Sequence, residues 1–101
     1  MTRPRPPAAA ALATERIAEE VGEGPGRLLE AGTAGIHAAA LALLGWDVTV
    51  AEDSEARLAR ARERAGHVAA VLPLDAVQGR FDVVVASDES LRALGDRFVL
   101  A

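Results

Sequence analysis

Four short clusters of small and acidic residues in this sequence each follow an apolar run. The first, residues 30–35 (EAGTAG), combines an acid with small residues that let a ligand approach the backbone, just ahead of the free N–H groups of a predicted helix. The second, residues 52–54, lies about 20 residues further on and carries an acid that can accept hydrogen bonds from ribose hydroxyls. Residues 75–76 and 87–88 are the third and fourth clusters. Because ligands of open α/β sheets bind beyond the carboxyl ends of the strands, the clusters predict one ligand site.

The segments between these clusters alternate between helix and strand patterns. Helix formers, with Ser54 as an N-cap and glycines as stops, favour helices, whereas β-branched and apolar runs favour strands. Short connections between alternating elements predict an α/β domain with a parallel sheet and right-handed crossovers. The predicted helices are residues 8–21, 36–44, 54–65 and 88–94. The predicted strands are residues 27–31, 46–51, 67–73 and 80–86. Residues 97–101 form a short apolar tail.

Composition narrows the class of protein. The 101 residues suffice for one domain, residues 1–101, in which we expect residues 1–7 to form a flexible arm. A hydrophobic share of 50% with 26% charged residues indicates a globular chain. The chain has no cysteine, which excludes disulfides and a thiol nucleophile, and its two histidines are too far apart in sequence to suggest a metal site. A net charge of −4 argues against nonspecific nucleic-acid binding.

Neither a membrane span nor an export signal is predicted. The apolar runs fall short of the about 20 consecutive apolar residues that a transmembrane helix needs. The N-terminal segment MTRPRPPAAAALA has the arginines and the alanine run of a signal peptide. Its prolines, however, lie where the arginines meet the alanine run, which argues against a signal peptide. We therefore expect a cytoplasmic protein that does not bind membranes.

Residues 26–94 resemble the cofactor-binding half of the class I S-adenosylmethionine-dependent methyltransferases. The resemblance is carried by LLEAGTAGIHAAALALLGWDVTVAEDSEARLARARERAG, by LDA and by GRFDVVVAS. It implies a truncated Rossmann-like, three-layer α/β fold, with a parallel sheet of about four strands in the order 3-2-1-4 and helices on both faces. It also implies S-adenosylmethionine as the cofactor and transfer of its methyl group to a small acceptor.

The same resemblance implies a role for individual residues. Glu30, Gly32 and Gly35 would surround the methionine part of the cofactor. Glu52 would hold the ribose, and Asp75 would lie near the adenine amino group. The predicted cofactor contacts are completed by Ala76 and Ser87, and either Ser87 or Asp88 would face the acceptor.

The first loop departs from the family pattern, which is acid-x-Gly-x-Gly-x-Gly. In that register this sequence has Glu30, Gly32, Ala34 and Ile36, and alignment on Gly35 instead makes the loop one residue short. The predicted sheet is also shorter than the seven strands usual in the family. A nicotinamide dinucleotide site is the weaker alternative, because its G-x-G-x-x-G would need glycines at positions 34 and 37.

Charged side chains outside the clusters have plainer interpretations. His37, next to the predicted site, is either a catalytic base or, as we favour, a histidine on the helix surface. The arginines of the third helix interleave with glutamates, which indicates a solvated, ion-paired face. They are Arg57, Arg60, Arg62 and Arg64.

Two functions from different classes therefore remain open. One is a methyltransferase or its cofactor-binding part, for which no catalytic base can be named. The other is a shortened, non-catalytic module that self-associates or binds a partner protein. In the order 3-2-1-4 the strand from Asp82 to Ala86 lies at an edge, and a bare valine-rich edge invites pairing with another chain. We expect a homo-oligomer or a companion chain at this edge, unless the tail covers it.

Overall fold

The computed structural model describes residues 8–94, in which helices and strands alternate as predicted. Residues 1–7 and the apolar tail 97–101 lie outside the described residues. The helices are α1 (Ala8–Val21), α2 (Ala38–Leu43), α3 (Glu55–Ala65) and α4 (Asp88–Leu94). The strands are β1 (Gly26–Ala31), β2 (Trp46–Glu52), β3 (Ala70–Pro73) and β4 (Val83–Ala86), and a short 3-10 helix, Leu74–Ala76, follows β3.

The four strands form one parallel sheet in the order β3-β2-β1-β4, which confirms the predicted topology. At the carboxyl edge Ala31 is in register with Ala51 on one side and with Ala86 on the other, and Glu52 is in register with Pro73. The ends of all four strands therefore meet at one edge of the sheet. This edge carries the four clusters singled out in the sequence.

Both faces of the sheet are buried, because successive side chains of a strand point to opposite faces. One face packs against α1, α2 and α3, and its fully buried core residues are Leu28, Ala38, Leu41, Val48, Val50, Ala61 and Ala65. The opposite face packs against the segment that leads from β3 to β4, and its core residues are Leu29, Ala31, Ala51, Leu74, Val77 and Phe81. A single sheet thus carries two apolar layers.

Several boundaries differ from the predicted ones. The N–H groups of Val68 and Ala69 donate to the carbonyl of Ala65, which prolongs the turn after α3, and β3 therefore begins at Ala70. Residues 33–37 form hydrogen-bonded turns, so α2 begins only at Ala38. Ser54 is the N-cap of α3, as predicted, and its hydroxyl accepts a hydrogen bond from the N–H of Arg57.

Across residues 8–94, every helix is too short or too polar to span a bilayer.

Two leucines of α2 offer a matched test of this packing. Leu41 is fully buried in the core below the helix, whereas Leu43 is 89% exposed. We expect Leu41→Ala to lower the free energy of unfolding by about 2–5 kcal/mol, because it leaves a cavity in the core. Leu43→Ala should change it by less than about 0.5 kcal/mol. Urea denaturation followed by circular dichroism would measure both, and equal losses would contradict the placement of α2.

Candidate functional site

The sheet places two acidic side chains next to each other at its carboxyl edge. Glu30 is the penultimate residue of β1, and Glu52 is the last residue of the neighbouring strand β2. Both are buried, with exposed fractions of 0% and 2%. Ionised carboxylates are rarely found in such surroundings unless donors replace the lost hydration, so the hydrogen bonds of each carboxylate define the site.

Glu30 is held through one of its two oxygens. Its Oε2 accepts a hydrogen bond from the hydroxyl of Thr33 and another from the N–H of His37, with an N···O distance of 3.1 Å. Its Oε1 is buried and receives no hydrogen bond from any residue that the structure describes. Burial raises the pKa of Glu30, and the nearby charge of Glu52 adds to this rise, while the two hydrogen bonds and Arg64 oppose it.

Glu52 shows the same pattern. Its Oε2 accepts a hydrogen bond of 2.8 Å from the N–H of Ala34, while its buried Oε1 has no donor within the described part of the chain. The carboxylate therefore fastens the loop after β1 to the end of β2. One of its oxygens remains able to accept a hydrogen bond from a ligand.

The two glycines of the loop allow close packing on both of its sides. Gly32 has a φ of +80°, and a Cβ on it would lie only 2.3 Å from the hydroxyl of Ser87 and 2.2 Å from that of Ser90. Gly35 has a φ of +73°, and a Cβ on it would lie 3.1 Å from that of Ala65 in α3. The positive φ disfavours a side chain at both positions, and at Gly32 the neighbouring hydroxyls also leave no space for one. Ser87 thus lies beside Gly32, and its hydroxyl accepts a hydrogen bond from the N–H of Ser90.

A cavity of about 550 Å³ opens beside Glu52, between the ends of β2 and β3. It is lined by residues 52–55, Leu58 and residues 73–75. Glu52 and Asp75, to which the family resemblance assigned the two ends of a nucleoside, therefore line one cavity. Ala76 is exposed and adjoins Asp75 without being part of this lining. Four of the lining residues are acidic and the others are uncharged, so the cavity suits a ligand that offers hydrogen-bond donors.

His37 is not the surface residue that we favoured from the sequence. It is 3% exposed, and its Nδ1 lies 2.7 Å from the hydroxyl of Thr14 in α1. Burial lowers the pKa of His37 and thereby favours the neutral ring. The prediction was wrong because α1, which covers this position, is distant in sequence.

Three residues of the site were given no role in it from the sequence, although Thr33 and Ala34 lie in the first cluster and Arg64 was expected on a solvated helix face. Thr33 and Ala34 supply donors to Glu30 and Glu52, and Arg64 donates through Nη1 to the carbonyl of Ala34 over 3.2 Å. For Thr33 there was a local signal in the sequence, because its hydroxyl lies only three residues after the acid to which it donates. The contacts of Ala34 and Arg64 depend on the tertiary fold and had no such signal. Between residues 8 and 94, His, Asp and Glu side chains form no group of three or more that could hold a metal ion.

Comparison with known proteins finds solved structures of methyltransferases with a similar fold. No protein-family model and no curated protein sequence matches the chain. Among solved structures, the Thermoplasma acidophilum 1320 protein matches with a TM-score of 0.65 and 24% identity, over 89% of this chain and 54% of that one.

Two further matches are named methyltransferases. The glycopeptide N-methyltransferase MtfA in complex with S-adenosyl-L-methionine matches with a TM-score of 0.62 and 25% identity, over 94% of this chain and 50% of that one. The CcbJ methyltransferase from Streptomyces caelestis matches with a TM-score of 0.60 and 28% identity, over 86% of this chain and 41% of that one. The chain thus spans about half the length of these structures, and its fold is the Rossmann-like fold of class I methyltransferases.

The buried Glu30 carboxyl has a consequence for the pH dependence of stability. A carboxyl whose pKa is raised by folding contributes stability that is full below its unfolded-state pKa and is lost as the pH rises through its folded-state pKa. We therefore expect Glu30→Gln to be more stable than the wild type at about pH 8, with the difference closing towards about pH 4.

Urea titrations of both chains over this pH range would measure the difference. Glu63→Gln, on the exposed surface of α3, is the matched control and should show no pH-dependent difference from the wild type. A difference between Glu30→Gln and the wild type that stays constant with pH would contradict the raised pKa.

Proposed function

We propose that residues 26–94 form the S-adenosylmethionine-binding part of a methyltransferase that acts on a small acceptor. The observation that carries this proposal is the Oε1 atom of Glu52. This oxygen is buried and lacks a donor among the described residues. The Glu52 side chain lines the cavity, and so does Asp75. The similarity to methyltransferase structures, one of them in complex with this cofactor, supports the same conclusion.

The residues present fit the nucleoside half of the cofactor. Ribose hydroxyls are donors, and Glu52 Oε1 is an acceptor that the described residues leave without one. Asp75 lines the same cavity and supplies an acceptor suited to the adenine amino group. Pockets for small ligands commonly enclose about 300–1,000 Å³, a range that includes this cavity.

The methionine half would lie over the loop after β1, near Glu30, Gly32 and Gly35. Ser87, which directly follows β4 and lies beside Gly32, would border the same space. When bound, the cofactor supplies a methyl group on a sulfonium centre. The contribution of this chain is to bind and orient the cofactor, because positioning of the reactants provides much of the rate enhancement in a displacement of this kind.

A second candidate function is a non-catalytic module that pairs with a second copy of itself. Within the described residues β4 pairs only with β1, which leaves its other edge open. A groove of about 490 Å³ runs between this strand and α1, lined by Ile17, Glu20, Val21 and residues 83–86. Its valines are partly buried and present an apolar surface next to the free strand edge.

Isothermal titration calorimetry with S-adenosylmethionine and S-adenosylhomocysteine tests the proposed function. We expect micromolar binding by the wild type and at least about tenfold weaker binding by Glu52→Gln, since a hydrogen bond to a charged acceptor contributes about 1.5–3 kcal/mol. Asp47→Asn, near the opposite end of the same strand, is the control and should bind like the wild type. Equal affinities of Glu52→Gln and wild type would refute the ribose role, and no binding by the wild type would refute the proposal.

Sedimentation velocity and hydrogen exchange test the second candidate. We expect the chain to dimerise in the micromolar range, with the exchange protection of β4 amides rising with protein concentration. The amides of β2, an interior strand, serve as the internal control and should not respond. A monomer at all concentrations, with constant protection of β4, would contradict pairing at this edge.

A further inference from the structure

Ala34 has a backbone geometry that its side chain disfavours. Its φ is 52°, and it is the only non-glycine residue between positions 8 and 94 with a positive φ. L-residues enter this left-handed region reluctantly, because their Cβ crowds the backbone. Contacts from elsewhere in the fold must therefore hold Ala34 in this geometry.

Both backbone polar groups of Ala34 are engaged. Its N–H donates to Glu52 Oε2 over 2.8 Å, and its carbonyl accepts from Arg64 Nη1 over 3.2 Å. The first bond occupies one oxygen of Glu52 and leaves Oε1 as the oxygen available to a ligand. The second bond comes from the last turn of α3, which lies 30 residues further along the chain.

Close packing of α3 on the loop brings Arg64 within reach. Its neighbour Ala65 is buried, and a Cβ on Gly35 would lie only 3.1 Å from the Cβ of Ala65. A side chain at position 35 would require the helix and the loop to move apart by a few tenths of an ångström. Arg64 is exposed, like the other arginines of this helix, but its guanidinium also donates to the backbone of the loop that forms the site.

We infer that Arg64 is a positioning residue for Glu52, because it holds the carbonyl of Ala34 and thereby keeps the Ala34 N–H on Oε2. Arg64 does not line the cavity and acts through the loop. The inference rests on the proposed function for the identity of the ligand. The contact between Arg64 and the loop can be tested without a ligand.

Three variants of α3 separate positioning from general charge effects. Arg64→Ala removes the donor, and Arg64→Lys keeps a cationic donor. Arg62→Ala removes an exposed arginine of the same helix turn and is the control. We expect calorimetry with S-adenosylhomocysteine to show about tenfold weaker binding for Arg64→Ala. Arg64→Lys should bind within about threefold of the wild type, and Arg62→Ala should bind equally well.

The amide chemical shift of Ala34 in ¹⁵N-labelled, ligand-free protein provides the second readout. We expect this resonance to move in Arg64→Ala, to return towards its wild-type position in Arg64→Lys and to stay in place in Arg62→Ala. An unchanged resonance in Arg64→Ala would overturn the inference, and so would a moved resonance with unchanged affinity. If the wild type binds no S-adenosylhomocysteine but the resonance moves as expected, the proposed function fails while the contact of Arg64 with the loop is supported.

Discussion

Glu30 and Glu52 lie at the carboxyl ends of two adjacent parallel strands, and the sheet buries both carboxylates almost completely. A carboxylate that leaves water loses its hydration, and hydrogen bonds from the protein must compensate. The three observed donors are the hydroxyl of Thr33 and the N–H groups of Ala34 and His37. All of them lie within residues 33–37, so this short segment must turn in a way that directs them at two different strands. The course of the loop is therefore set largely by the two acids.

This constraint explains how the loop is built with fewer glycines than the methyltransferase pattern contains. Gly32 and Gly35 occupy the two places where a Cβ would meet neighbouring side chains. At position 34 a Cβ is tolerated, although φ is positive, because the N–H and the carbonyl of Ala34 are both hydrogen-bonded. The missing glycine is thus replaced by contacts from β2 and α3. Packing and hydrogen bonding therefore stabilise a loop conformation that, in a glycine-rich loop, the freedom of the backbone would allow.

The parts of the fold that were predictable from the sequence are those with local causes. The alternation of elements, the strand order implied by the family resemblance and the Ser54 N-cap are all confirmed. The start of β3 was not predictable, because alanine and valine in VAAVL suit a strand as well as the prolonged turn that follows α3. Contacts between distant segments account for the other differences. The burial of His37 depends on α1, and the link from Ala34 to Glu52 depends on the parallel pairing of β1 with β2.

The two acids also indicate how folding and binding are connected in this domain. Each carboxylate keeps one buried oxygen without a donor among the described residues, so hydrogen bonding compensates only part of the lost hydration. At Glu30, where burial raises the pKa, uptake of a proton from the solvent removes the buried charge and so reduces this deficit. At Glu52, which lines the cavity, a hydroxyl donor from a ligand can relieve it from outside. A ligand that supplies this donor binds the folded chain only, and its binding therefore stabilises the same loop that the carboxylates hold in place.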